Sequence, residues 1–281
     1  MKWLGVTRAK RFSPGMADKD LAIMKAVADL LVAEGSQMEL CTEENFETET
    51  DLDRWREVDG VFTMLRGEKA LEQLQRLELK GIPVLNPTAG IRNAERKNIT
   101  RLMMEHGIPM PQTWRVDETQ MPDCSFPCWL KRADGWAQQR KDVAFAESRE
   151  QLLAAAIEMR RGNPGCSMTV SEHLQGDLVK FYGVEGTSFF SWRYPDPDNT
   201  KFGLEKLNGA PQRFLFDEAS LKRTCDALAN VSHILVYGGD CIVDAHGCFR
   251  IIDFNDWPSF SPCQTQAAKA IADRILMEVN K

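Results

Sequence analysis

Asp240, Asp253 and Asn255 are the residues of this 281-residue chain whose types and spacing most directly suggest chemistry. They lie in Gly238-Gly239-Asp240-Cys241-Ile242-Val243 and Arg250-Ile251-Ile252-Asp253-Phe254-Asn255-Asp256-Trp257-Pro258. These apolar runs flank Asp244-Ala245-His246-Gly247 and read as a β-hairpin. Side chains alternate faces along a strand, so Asp253 and Asn255 point the same way. A two-residue turn at His246-Gly247 sets Asp240 opposite Asp253. A four-residue turn sets it opposite Ile251, on the same face. Either way, two carboxylates and an amide share one patch inside apolar strands. Facing like charges destabilise a hairpin unless something compensates them. An all-oxygen set with two negative charges suits Mg²⁺, which commonly takes one or two carboxylates plus substrate phosphates. A solvated hairpin face is the plain alternative.

The elements that must position this patch follow from the rest of the chain. Hydrophobic residues make up 43% and charged residues 27%, ordinary for a soluble globular protein. The length suggests more than one compact unit. With a net charge of −6 and no basic stripe, nucleic acid is not an expected partner. No apolar run nears the ~18 residues of a membrane helix, and the N-terminus has too short an apolar core for a signal peptide. No membrane partner is expected, and cytoplasm is the expected address. The cysteines are scattered without a CxxC pair, and most sit in apolar runs, which reads as buried free thiols.

Residues 1 to about 90 alternate strands and helices. Trp3–Thr7, Met38–Cys41, Gly60–Met64 and Ile82–Asn86 read as strands. Leu21 to Leu31 and Leu71 to Leu79 repeat at helical spacing. That is a small parallel α/β layer. Ligands of such sheets sit at the carboxyl ends of the strands, where Arg8, Lys10, Arg11 and Arg66 fall, so an anionic substrate has a place to bind. Solvated loop charge is the alternative for each. A turn-rich junction from Asn86 to Asn93 leads to a helix containing Lys97, then strands Pro127–Arg132, Asp142–Phe145, Met168–Leu174, Leu178–Val184 and Ser188–Trp192. Helices from about Glu218 to Leu235 and from Gln264 to Val279 bracket the hairpin. Phe189, Phe190 and Trp192 read as core.

In this order the parts resemble the ATP-grasp enzymes. Lys97 opens a helix ending in Gly107-Ile108-Pro109-Met110-Pro111, like the family's lysine and "GIPxP" turn. Lys131 ends a Pro-x-x-x-Lys strand. Val170-Ser171-Glu172-His173-Leu174-Gln175-Gly176-Asp177 is similar to the hinge strand and the acid after it. Asp240, Asp253, Asn255 and the following Pro258 match the metal end. The resemblance implies an α/β (α+β ATP-grasp) fold. A small N-terminal parallel α/β domain (1–90) precedes two α+β subdomains (91–170 and 171–281) that sandwich ATP. It implies phosphate contacts from Lys97 and Lys131, main-chain contacts to adenine from Glu172 and Leu174, and ribose contacts from Asp177. Asp240, Asp253 and Asn255 would hold Mg²⁺, or Mn²⁺ in its stead, between the β- and γ-phosphates.

Two departures stand out. The phosphate-covering loop is usually rich in Gly and Ser, whereas residues 133–141 hold only Gly135, with Trp136, Gln138, Gln139, Arg140 and Lys141. Many ligases of the family carry an arginine two residues before the first metal aspartate; position 238 is glycine. Oxyanion stabilisation then falls to Lys180, Arg193 or Arg213, each of which could equally be surface charge. The resemblance implies a C–N ligase that activates a small-molecule carboxylate as an acyl phosphate for attack by a small-molecule amine. A homodimer is compatible with it. The alternative is a small-molecule kinase resembling the inositol phosphate kinases, which share the core and lack the arginine. A non-enzymatic nucleotide-binding protein would not need two facing carboxylates.

Overall fold

The computed structural model describes residues 1–49, 52–116, 121–135, 140–196 and 207–279, organised around three four-stranded sheets. The first has the order β2-β1-β3-β4, from β1 (Lys2–Thr7), β2 (Gln37–Thr42), β3 (Gly60–Thr63) and β4 (Val84–Leu85), all parallel. Inner parallel strands are covered on both faces and need continuous apolar runs. β3 is buried at every position, whereas edge strand β2 is half exposed. Helix α1 (Ala17–Ala33) buries Ile23, Met24, Val27, Ala28 and Leu31, one stripe at helical spacing. Helices α2 (Glu43–Thr48) and α3 (Glu68–Leu79) complete the expected parallel α/β layer. The fourth strand is shorter than Ile82–Asn86, because Asn86 leaves it. Its side-chain amide accepts from Val236 N–H at 2.8 Å and donates to Val236 C=O at 2.9 Å.

The junction holds a short helix, α4 (Thr88–Asn93), and then α5 (Arg96–Glu105). The second sheet has the order β5-β8-β6-β7: β5 (Thr113–Val116), β6 (Cys128–Arg132), β7 (Val143–Ala146) and β8 (Met168–Glu172), all antiparallel. Helix α6 (Arg149–Gly162) packs Leu152, Ala156 and Met159 against it in a core of its own. β5 has no apolar alternation and was not anticipated.

The third sheet has the order β10-β9-β11-β12, again antiparallel: β9 (Asp177–Val184), β10 (Phe190–Arg193), β11 (Val236–Val243) and β12 (Phe249–Asp256). Helix α7 (Glu218–Ser232) covers it with Leu221, Cys225, Leu228 and Ala229. Helix α8 (Gln264–Val279) packs on α1. One core therefore runs from α1, Trp3 and Phe62 through Trp257 and Phe260 to Ala267, Ile271 and Ile275, joining the two ends of the chain. Cys128, Cys225, Cys241 and Cys263 are buried; Cys248 is exposed. Among the described residues no helix is long and apolar enough to cross a membrane.

Candidate active site

The hairpin closes by neither expected turn. Asp244 N–H donates to Cys248 C=O at 2.9 Å, which leaves a three-residue loop with Gly247 in the left-handed region at φ 77°. That register pairs Cys241 with Ile251. A β-bulge at Ile252 then restores the pairing of Asp240 with Asp253. A Cβ on Gly239 would lie 2.2 Å from the Asp253 carbonyl oxygen, so only glycine lets β12 come this close. Across the sheet the register runs Arg193, Lys180, Asp240, Asp253. Lys180 Nζ bonds Asp240 at 3.1 Å, which supplies compensation for facing carboxylates.

Lys131, at the end of β6, donates to the Ile252 carbonyl at 3.3 Å. Burial first, and Arg96 second, push its ammonium down to about 8, with Asp253 and Asp240 pulling the other way. Burial pushes the Asp253 carboxyl up, but Arg96, Lys131, the Asn255 amide and Lys180 together hold it below its usual value.

Lys97 does not line this site. It is 44% exposed and pairs with Glu95 at 3.1 Å. Its neighbour Arg96 points inward, with Nη2 3.7 Å from Asp253 and Nε on the Arg132 carbonyl at 3.2 Å. Residues 96, 99 and 103 share one helix face, and Ile99 and Met103 are buried. The resemblance implied Lys97; the side chain that reaches Asp253 from this helix is that of Arg96.

Glu172 ends β8 with its carboxylate committed to Arg250 at 3.0 Å and Gln112 N–H at 2.9 Å. Its own N–H donates to the Gln112 carbonyl. His173 accepts from the Trp129 indole at 3.0 Å, and burial lowers its pKa. Leu174, Leu178 and Ile242 form a small apolar cluster with Ile252 beside it. Asp177 is not at the cavity. It is 3% exposed and accepts from the N–H groups of Gln212 at 2.6 Å and Phe214 at 2.8 Å. It pins a strap whose Asn208 reaches the Leu174 carbonyl at 3.4 Å. Buried acids need such partners, and the main chain supplies them here.

Beyond the trio, two arginines from the first sheet enter. Arg8 bonds the Met64 carbonyl at 3.1 Å, the Trp257 carbonyl at 2.9 Å and Asp20 at 3.2 Å. Arg66 bonds buried Asp256 at 2.7 Å, and burial, then Arg8, lowers its pKa to about 10. Arg11 turns away to Glu47 at 2.7 Å, and Lys10 stays outside. Neither Arg193 nor Arg213 lines the cavity; Arg213 is exposed over the Tyr194 ring. Within the loop 133–141, Trp136 to Gln139 lie outside the described residues.

Position 238 has no room for the arginine that sequence comparison would seek. A Cβ there would lie 2.7 Å from Pro258 Cγ and 3.2 Å from the Phe181 carbonyl oxygen. Gly238→Ala is expected to cost about 1–3 kcal/mol in urea unfolding, the range for overpacking; a cost under about 0.5 kcal/mol would show that Pro258 yields freely.

The trio, Arg8, Arg66, Arg96, Lys131 and Lys180 line one cavity of about 450 Å³. Among the described residues its lining carries Arg8, Arg66, Arg96, Lys131 and Lys180 against Asp20, Glu172, Asp240, Asp253 and Asp256, so the charges balance. No family model matches the sequence, and no curated protein does. Solved structures do match. A D-alanine–D-alanine ligase from Bacillus anthracis, complexed with ATP, superposes with TM-score 0.67 over 100% of this chain and 99% of its own, at 10% identity. The same enzyme in a second structure gives 0.65 at 11% identity, over 100% and 99%. A RimK domain ATP-grasp protein from Sphaerobacter thermophilus gives 0.67 at 16% identity, over 98% and 99%. The chain has the ATP-grasp fold. Within that fold, Asp240, Asp253 and Asn255 make an incomplete oxygen set, and among the described residues no three His, Cys, Asp or Glu converge on a metal site. Such a set fits Mg²⁺, which keeps water and phosphate ligands, better than an ion needing a full protein cage.

Proposed function

We propose that this chain is an ATP-dependent carboxylate–amine ligase that uses Mg²⁺, with Mn²⁺ as a substitute. One observation carries the reading. A single cavity joins an apolar slot, an oxygen trio faced by Arg96, Lys131 and Lys180, and a far end reached by Arg8 and Arg66. Adenine would sit against Leu174, Leu178 and Ile242, and the phosphates against Lys131 and Arg96. The matched Bacillus anthracis ligase was itself complexed with ATP. When bound at Asp240, Asp253 and Asn255, Mg²⁺ would supply charge neutralisation of the phosphoryl group in transfer.

ATP carries about four negative charges. The cavity lining is already neutral, so ATP must enter with its own cations, which agrees with metal-bound nucleotide. In the reaction the bond from the γ-phosphorus to the β-bridging oxygen breaks, and one from that phosphorus to a carboxylate oxygen forms. The amine nitrogen then bonds the acyl carbon, phosphate leaves with the carboxyl oxygen, and the amine proton passes to water. No protein nucleophile is required; Lys131, Arg96 and Lys180 orient the reacting groups and hold charge.

The kinase alternative draws on Gly238. The neutral lining weighs against it, because a polyphosphorylated acceptor needs surplus cations. The test is product analysis. A ligase releases ADP and phosphate only with both an acid and an amine, whereas a kinase yields a phosphorylated acceptor and no phosphate. ATP turnover that never needs a second co-substrate would sink the ligase reading. Lys131 adds a pH signature. Its charged form favours phosphate, so ATP affinity should fall as pH rises through about 8, and Lys131→Ala should flatten that profile in isothermal titration.

A further inference from the structure

The geometry points to Asn208 as the residue that selects the sugar of the nucleotide, taking ribonucleoside over deoxyribonucleoside triphosphates; this rests on the ATP site proposed above. A base against Leu174, Leu178 and Ile242 has its faces served by apolar contact. A sugar hydroxyl buried beside it needs an acceptor for its proton. Among the described residues, the polar side chains lining this end of the cavity are Trp129, Ser171, Glu172, His173 and Asn208. The Glu172 carboxylate is committed to Arg250 and to the Gln112 N–H. Trp129 donates to His173 Nδ1, so a neutral His173 has only an N–H donor left. Ser171 is buried within β8. Asn208 remains as the acceptor.

The local structure fixes that side chain for the task. Its Nδ2 donates to the Leu174 carbonyl at 3.4 Å, which orients the amide and leaves Oδ1 to accept from a ligand. Gly209 follows at φ 74°, a turn that glycine takes without strain. Four and six residues beyond Asn208, the N–H groups of Gln212 and Phe214 donate to buried Asp177 at 2.6 and 2.8 Å. Asp177 therefore acts on the nucleotide through the strap, as a positioning residue. It anchors the segment that carries Asn208 to the cavity wall.

The test titrates the full chain, in Mg²⁺, with ATP and with 2′,3′-dideoxy-ATP in a calorimeter. The unaltered protein is expected to bind ATP about 3- to 10-fold more tightly than the analogue, the contribution of one neutral hydrogen bond. In Asn208→Ala that ratio should fall below about twofold, because ATP weakens while the analogue does not. Asn208→Asp keeps an acceptor and should retain the preference, although its charge weakens both nucleotides. Asp177→Asn should lower the preference part of the way by loosening the strap. Equal losses of ATP and analogue in Asn208→Ala, or a lost preference in Asn208→Asp, overturn the assignment. If the unaltered protein binds both nucleotides equally, the assignment alone falls. If it binds neither, the ATP site falls, and the assignment with it.

Discussion

Asp253→Ala should lose at least about 10³-fold of Mg²⁺-dependent ATP turnover while the protein remains folded. Asp253 is the point on which Arg96, Lys131, Lys180 and the Asn255 amide converge. Removing it leaves those cations facing Asp240 alone, so the cavity becomes net positive. Binding of metal-free ATP should then hold or strengthen, even as metal-dependent turnover collapses. A loss of fold would weaken both together. Asn255→Ala, which removes a neutral ligand, should cost less, on the order of 10- to 100-fold. ADP release against Mg²⁺ concentration, with ATP titrations in EDTA, separates these outcomes. Turnover within tenfold of the unaltered protein would mean that the metal assignment is wrong.

Trp257→Ala should produce the largest loss of stability, about 3–5 kcal/mol in denaturant unfolding. The side chain is fully buried and lies 6.1 Å from Phe62, ring to ring, at 21°. The Trp257 backbone N–H donates to the Val236 carbonyl at 2.9 Å, and its backbone carbonyl accepts from Arg8 at 2.9 Å. Its backbone lies at φ 29°, tolerated because contacts on both sides fix it. The cavity left behind would sit in the core that joins the two ends of the chain, so relaxation there also loosens Arg8. A cost below about 1 kcal/mol would show that this seam carries little of the stability.

Much of the fold was legible because its signals are local. The parallel layer shows in alternating apolar runs and helical stripes, and the hairpin shows in two runs around Gly247. The trio stood out because carboxylates are expensive among apolar residues. What failed depends on long-range geometry. The bulge at Ile252 is a feature of the pairing of β11 with β12, which no local pattern in either run announces. Lys97 was taken from the family's lysine match, and Arg96, on the same face of α5 as buried Ile99 and Met103, went unread. Asp177 looked available because the strap that consumes it, at Gln212 and Phe214, is 35 or more residues away. Arg8 and Arg66 were visible as charges at strand ends; their meeting with Asp256, 190 residues from Arg66, was not.

The shared core has a consequence for synthesis. Ile23, Met24, Val27 and Leu31 on α1 are covered by Ala267, Ile271 and Ile275 on α8, more than two hundred residues later. At about 5–20 residues per second, α1 leaves the ribosome roughly ten to fifty seconds before its cover exists. The part of the α1 stripe that meets α8 stays open to other nascent chains meanwhile. Contacts this distant in sequence also slow the closing step. This protein is therefore expected to need a holding chaperone during translation more than its ordinary composition would suggest.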